Sequence, residues 1–313
     1  MGEQPTYRFV QVHNQAETGT LHENLLAMWA AIRAETRGRI EATVHAENNK
    51  LPGADPAVMQ MLLAGEIQFF TLMGGGIGAT VQVAEVQQVP FAFASAVEAH
   101  RAIDGPLGRY IAAEMAAKGL HLFPVAGFDN GMRQITALER AVRNPDDLAG
   151  MKIRTPPSEL IVDTFRALGA EPVPTLSNQI YAALRDRKVD AQENPLAVME
   201  AFGLDALVKF VSMTNHMWSG FNQMAHLPTW AKLPDDIKAA IERNVATHVH
   251  RQRIAQAERN AALRERYQMQ GIRFNEVDPA AFRARLSGVY AHWRERLGAQ
   301  CWSLLEAEIG PLR

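Results

Sequence analysis

Three side chains in this 313-residue chain are of a type and position to grip a carboxylate. Arg154 closes the apolar run Met151-Lys152-Ile153-Arg154 just before Thr155-Pro156-Pro157, and ligands of open α/β sheets sit beyond the carboxyl ends of strands. A guanidinium there presents a planar fork of donors that stays charged at all relevant pH. It can therefore hold a carboxylate through two parallel charge-assisted bonds, where a lysine could not. The competing use of such an arginine is an internal pair with Asp or Glu, and position alone does not choose between them. Arg133, in Asn130-Gly131-Met132-Arg133-Gln134, and Asn194, in Gln192-Glu193-Asn194-Pro195, carry the same two readings.

Signatures of other chemistries are missing from the sequence. There is no P-loop GxxxxGK[ST], no GxSxG elbow and no HExxH. Gly74-Gly75-Gly76-Ile77-Gly78 follows a strand as a dinucleotide site requires, but its spacing is not GxGxxG and no acidic residue stands where a ribose contact belongs, so it reads as a flexible or tight loop. His22-Glu23 lacks a second histidine one turn later, and His248 and His250, two apart, point about 200° around a helix from each other. These histidines are expected in structural or surface roles. The single cysteine, Cys301, excludes an intramolecular disulfide and a cysteine-based zinc site. No cofactor or metal is expected.

The elements that must position these residues alternate. Tyr7 to Val12 reads as a strand, Thr20 to Arg33 as a helix with Leu21, Leu25, Met28, Trp29 and Ile32 on one face, and Ile40 to His45 as a strand. Asp55-Pro56 supplies an N-cap and first-turn proline for a helix over 57–64, and Ile67 to Met73 is a further strand. Downstream come strands at 120–125 and 151–154, a helix from Pro157 to Leu168 ending at Gly169, and a helix over 178–185. Two α/β units with largely parallel sheets follow from this alternation. No linker separates the halves, so the chain is expected to cross between them more than once. From Asp235 to about Gln270 there is neither Pro nor Gly, and Ile237, Ile241, Val245 and Val249 recur every four residues. The expectation is one continuous helix of about 50 Å, the alternative a break near 255–262.

Composition narrows the function classes. Apolar residues make up 47% and charged residues 21%, which is ordinary for a globular chain and excludes disordered or fibrous classes. With 32 Lys and Arg against 34 Asp and Glu, the formal charge of −2 gives no electrostatic footprint for nucleic acid or an anionic membrane. No run approaches the roughly 18 apolar residues of a membrane span, so no direct membrane insertion is expected. The start MGEQPTYRFVQV lacks the features of a secretory signal, and Met1-Gly2 is read as replacing a removed leader.

The stretch from Asn130 to His216 resembles the DctP family, the extracytoplasmic substrate-binding proteins of TRAP transporters. The resemblance rests on Asn-Gly-x-Arg at 130–133, Leu-Ala-Gly-Met-Lys-Ile-Arg-Thr-Pro at 148–156, Leu-Gly-Ala-Glu-Pro-Val-Pro at 168–174, Ile-Tyr-Ala-Ala-Leu at 180–184, Val-Asp-Ala-Gln-Glu-Asn-Pro at 189–195 and Thr-Asn-His at 214–216. It implies a two-lobed, Venus-flytrap α/β protein with mixed sheets and a long helix spanning both lobes. Residues 1–130 with 220–258 would form lobe I, and 131–219 with 259–313 lobe II. It implies that Arg154 binds a substrate carboxylate, that Arg133 assists and that Asn194 donates an amide hydrogen bond. Ala191, where the family usually has glycine, and Gln179, where it often has glutamate, are departures that leave this grip intact.

In the first half, the strand ending at Met73 is expected to face the ligand where some relatives place a polar or acidic residue. Phe70, Phe128, Met132, Trp218 and Phe221 are candidates for the same apolar wall. The function expected is therefore periplasmic capture of a small organic monocarboxylate, an aromatic or branched 2-oxo or 2-hydroxy acid, closed between two lobes and delivered to the membrane subunits of a TRAP transporter. Two readings compete with it. One is an α/β enzyme anchoring its substrate on Arg154 with Glu193 or His216 as acid or base; the other is a scaffold using the long helix as a binding face.

Overall fold

The computed structural model describes residues 6–48 and 52–312. Its strands are β1 (Tyr7–His13), β2 (Ile40–His45), β3 (Phe69–Met73), β4 (Leu120–Met132), β5 (Gln134–Ala137) and β6 (Lys152–Thr155). They continue as β7 (Glu171–Pro174), β8 (Ala191–Asn194), β9 (Phe210–Met213), β10 (Trp218–His226) and β11 (Arg273–Glu276). One sheet runs β2-β1-β3-β10-β4 and the other β11-β9-β5-β8-β6-β7. Both are mixed, because β10 enters the first antiparallel to β3 and β5 enters the second antiparallel to β8 and β9.

The chain divides into two compact units. Residues up to 81, 103–129 and 220–256 form the first, and 82–102, 130–219 and 257–313 the second. Strands β4 and β10 and the long helix each contribute residues to both, so at these three points the chain crosses within a regular element.

In the first unit the parallel β1, β2 and β3 are joined by helices over Thr20–Glu35 and Ala54–Ala64. The first helix buries Leu21, Leu25, Met28, Trp29 and Ile32, the stripe its spacing predicts. Trp29 meets Phe69 edge-on with ring centroids 4.7 Å apart, and Phe9 meets Phe69 at 5.2 Å. Each such side chain stabilises by about 1.5–3 kcal/mol. The second helix begins earlier than its sequence indicated. Gly53 is its N-cap in the left-handed region at φ +79°, and the Asp55 carboxylate accepts from Asn14 and Asn48 instead of capping. Gly74–Ile77, read as a loop, forms a single helical turn: a Cβ at Gly76 would stand 3.0 Å from the Leu72 side chain, so a larger residue there would require that side chain to give way.

Asp235–Met269 is one unbroken helix of 35 residues. Asp235 and Asp236 in its first turn and Arg266 in its last complement the helix dipole, and Gly271 at φ +89° allows the chain to leave it. Within the first unit, Gln252 of this helix makes a two-way clamp on Asp129 at the end of that unit's share of β4. Its Nε2 donates to the Asp129 carbonyl at 2.7 Å and its Oε1 accepts from the Asp129 amide at 2.8 Å. Arg253 beside it grips Asp104 through both nitrogens at 2.6 and 2.8 Å.

In the second unit the helix over Glu159–Ala167 starts two residues later than expected, because Ser158 and not Pro157 supplies the cap. Residues 82–102, grouped with lobe I in the sequence reading, pack here. The Tyr290 hydroxyl donates to the Pro90 carbonyl at 3.0 Å, and the Phe91 amide to the His216 carbonyl at 2.6 Å. Glu85 in this segment is buried with the Ser158 hydroxyl donating to it at 3.2 Å. Burial pushes its carboxyl up to about 7, against the opposing pull of Ser158, Arg296 and the Leu160 amide. Its folded-state proton affinity exceeds the unfolded one, so stability falls as pH rises from about 4.5 to about 7 and then stays at the lower level. Glu85→Gln is accordingly expected to raise the melting temperature relative to wild type at pH 8 and not at pH 4. A difference independent of pH would contradict this assignment.

Candidate functional site

The second sheet sets the site by its register. Strands β6 and β8 are parallel neighbours with Arg154 opposite Gln192, and β5 runs antiparallel beside β8 with Gln134 opposite Asn194 and Ile135 opposite Glu193. The carboxyl ends of β6 and β8 and the start of β5 therefore meet, which gathers Arg154, Glu193, Asn194 and Arg133 from segments up to 61 residues apart in sequence. Strand alternation puts Arg154, Gln192 and Asn194 on one face. On it the Asn194 amide donates to Gln192 Oε1 at 2.6 Å, and Gln192 Nε2 to the Thr136 hydroxyl at 2.6 Å.

Arg133 is engaged by protein groups through all three of its nitrogens. Its Nε and Nη2 donate to the two carboxylate oxygens of Glu193 at 2.5 and 2.7 Å; Nη2 also reaches the Glu193 carbonyl and Asn194 Oδ1, each at 2.9 Å, and Nη1 the Ser219 hydroxyl at 3.2 Å. Arg133 is 2% exposed and the Glu193 side chain not at all. His216 completes the cluster, with Nε2 3.1 Å from Glu193 and Nδ1 2.7 Å from the Thr214 hydroxyl. Burial lowers the His216 pKa, as does Arg133, while Glu193 raises it. The ring is therefore neutral at pH 7, with Nε2–H donating to Glu193 and Nδ1 accepting from Thr214. Burial acts to raise the Glu193 carboxyl, but the Arg133 charge and the hydrogen bonds from His216 and Arg133 outweigh it and hold the group down to about 2.

Arg154 differs from Arg133 in having no ion pair among the described residues. It is 2% exposed, its Nε donates to the Thr175 carbonyl at 3.0 Å and its Nη2 to the same oxygen. Among the described residues no carboxylate lies within the 4.0 Å of an ion pair with it. Burial lowers its pKa to about 9, with Arg133 lowering and Glu193 raising it, so it remains charged at pH 7. Two guanidinium charges against one carboxylate, with the histidine neutral, leave this buried cluster one positive charge in excess. An uncompensated buried charge costs several kcal/mol, and an entering carboxylate would relieve it.

The remaining expected residues fall in both units. Met73, half-buried, ends β3 opposite Phe221 on the antiparallel β10. Phe70 lies three residues before Met73 on the same strand and therefore on the other face of the sheet, so the two do not share one wall. The face carrying Met73 is mixed, with Phe69 and Phe221 beside a polar chain: Gln11 donates to the Thr71 hydroxyl at 2.9 Å, that hydroxyl donates to Gln223, and Gln223 donates back to Gln11 at 2.7 Å. Phe128 lies buried in β4. In the second unit Met132 ends β4 half-buried, and the buried Trp218 packs edge-on against His100 at 5.6 Å. Sequence reasoning weighed Glu193 and His216 only as catalytic groups and missed Thr175, whose contribution is a backbone carbonyl.

Fold and site together describe a two-unit α/β protein with a buried cluster at strand ends that carries one positive charge in excess. The chain belongs to the DctP family, bacterial extracellular solute-binding protein family 7, whose model matches residues 11–296. A solute-binding protein of Roseobacter denitrificans is 31% identical over 249 residues, 80% of this chain and 75% of that protein. Among solved structures, a TRAP periplasmic solute-binding protein from R. denitrificans with bound β-D-glucuronate superposes with a TM-score of 0.91 at 26% identity, covering 98% of this chain and 100% of that one. Another from the same organism, with bound L-galactonate, gives 0.86 at 25%, covering 98% and 99%. The family consists of receptors and not enzymes, which removes the acid–base reading of Glu193 and His216. In the structure Glu193 holds Arg133, and His216 in turn holds Glu193.

Proposed function

We propose that this chain is the periplasmic receptor of a TRAP transporter, capturing a small organic monocarboxylate on Arg154 and delivering it to the membrane subunits. The observation that carries this reading is the buried Arg154 guanidinium with no carboxylate partner among the described residues, one charge in excess beside an Arg133–Glu193 pair that is already neutral. A single excess charge favours one carboxylate over two. Arg133 and Asn194 support the grip, Arg133 with the second hydrogen on Nη1 and Asn194 with the amide hydrogen not used on Gln192.

For the rest of the ligand, the sequence pointed to an aromatic or branched 2-oxo or 2-hydroxy acid through Met73 and its aromatic companions. We prefer a hydroxylated sugar acid. The two relatives described above hold sugar acids. A thermal-shift screen against uronates, aldonates, aromatic 2-oxo acids and dicarboxylates tests both parts. A ligand at 100 times its dissociation constant stabilises by about 2.7 kcal/mol. Uronates or aldonates are expected to give the largest shifts. Hits confined to aromatic 2-oxo acids would overturn the sugar-acid assignment, and hits confined to dicarboxylates or to uncharged sugars would overturn the monocarboxylate grip.

A further inference from the structure

We infer that the Thr175 carbonyl is a positioning group that occupies one edge of the Arg154 guanidinium and obliges an incoming carboxylate to bind at the Nη1/Nη2 end. This rests on the reading of Arg154 as the carboxylate grip and specifies its geometry. A guanidinium has two edges that take a carboxylate side by side: one formed by Nε–H and a hydrogen of Nη2, the other by Nη1 and the second hydrogen of Nη2. The Thr175 oxygen accepts from both Nε, at 3.0 Å, and Nη2, which fills the first edge. Nη1 donates to no described residue, so the second edge keeps its donors.

The carbonyl is itself held. The Thr175 amide donates to the Thr155 carbonyl at 2.9 Å, extending the parallel β6–β7 pairing one step past Thr155 opposite Pro174. The Thr175 hydroxyl donates to the Val173 carbonyl at 3.0 Å. Pro172 and Pro174 fix φ on alternate residues of β7, so the strap arrives at Thr175 with little freedom left. A guanidinium on a long flexible stem loses rotamer entropy when it binds, and fixing it beforehand removes that cost from the binding step.

The test is side-chain NMR of protein labelled with nitrogen-15 arginine, with the Arg154 signals identified by their loss in Arg154→Lys. In the ligand-free protein Arg154 Nε–H is expected to exchange with water about tenfold or more slowly than that of the exposed Arg33, the retardation a hydrogen bond to a charged donor gives. Adding sodium formate, the bare carboxylate, against an equal concentration of sodium chloride should move and sharpen the Arg154 Nη signals and leave Nε nearly unmoved. Pro174→Gly, which loosens the strap without touching Arg154, should speed Nε–H exchange. Fast Nε exchange in the free wild type, or formate shifts as large at Nε as at Nη, would overturn the edge assignment and leave the carboxylate grip standing. Formate shifts at no Arg154 nitrogen would overturn the grip itself.

Discussion

Arg154→Met is expected to abolish capture of the organic acid while leaving the ligand-free protein as stable as the wild type or more so. Truncating one partner of a buried charge pair costs about 3–5 kcal/mol, a loss of several hundred-fold or more in affinity, because the ligand carboxylate would be stripped of water with no cation to receive it. The stability half of the prediction follows from the opposite side of the same balance. Without ligand, Arg154 is a buried cation whose pKa burial pulls down to about 9, and among the described residues its only acceptor is the Thr175 carbonyl. Methionine fills much of the same volume without the charge, and replacing buried charges by apolar groups of similar size is often neutral or stabilising. Titration calorimetry and thermal melts of the same variant read the two effects. A variant that loses binding by unfolding, or that binds the acid within tenfold of wild type, contradicts the assignment.

Glu193→Gln should do the reverse, damaging the fold of the second unit more than the site's taste for anions. Glu193 neutralises Arg133 through two hydrogen bonds and accepts a third from His216. A neutral amide there leaves two buried guanidinium charges unbalanced, again about 3–5 kcal/mol, or roughly 5–15 °C in the melting temperature of a protein this size. The pH dependence has a definite sign. The folded-state pKa, about 2, lies below the ordinary value of 4.5, so this carboxylate stabilises above pH 4.5 and loses that contribution as pH falls toward 2. Glu193→Gln should therefore narrow its stability deficit against wild type as acid is added across that window. The variant's site also carries two excess charges, which should shift its preference from monocarboxylates toward dicarboxylates. An equal deficit at pH 6 and pH 2.5 would show that Glu193 is not ionised in the folded protein.

The two variants separate what was legible in the sequence from what was not. Arg154 could be found because a short apolar run followed by Thr-Pro-Pro marks a strand end, and strand ends hold ligands in such sheets. The long helix was legible for an equally local reason, 35 residues without a breaker and an apolar residue every fourth place. The fate of Arg133 was not. Its neutralisation needs β5 to lie antiparallel beside β8, bringing together residues 60 apart, and nothing in either short strand announces that neighbour. Thr175 was hidden for another reason, since any residue supplies a carbonyl and only the β6–β7 register aims this one. The Phe70 expectation failed on strand alternation: once the strand was placed, its parity with Met73 could be counted from the sequence alone.

The claim on which the receptor reading depends is that one buried, unpaired guanidinium receives one carboxylate. Calorimetric titration of the wild-type protein with the acid that gives the largest thermal shift, and then with the primary amide of the same acid, measures this without any mutation. The amide keeps shape and hydroxyls and removes only the charge. The account predicts that it binds several hundred-fold more weakly or not at all; binding within about tenfold of the acid would contradict it.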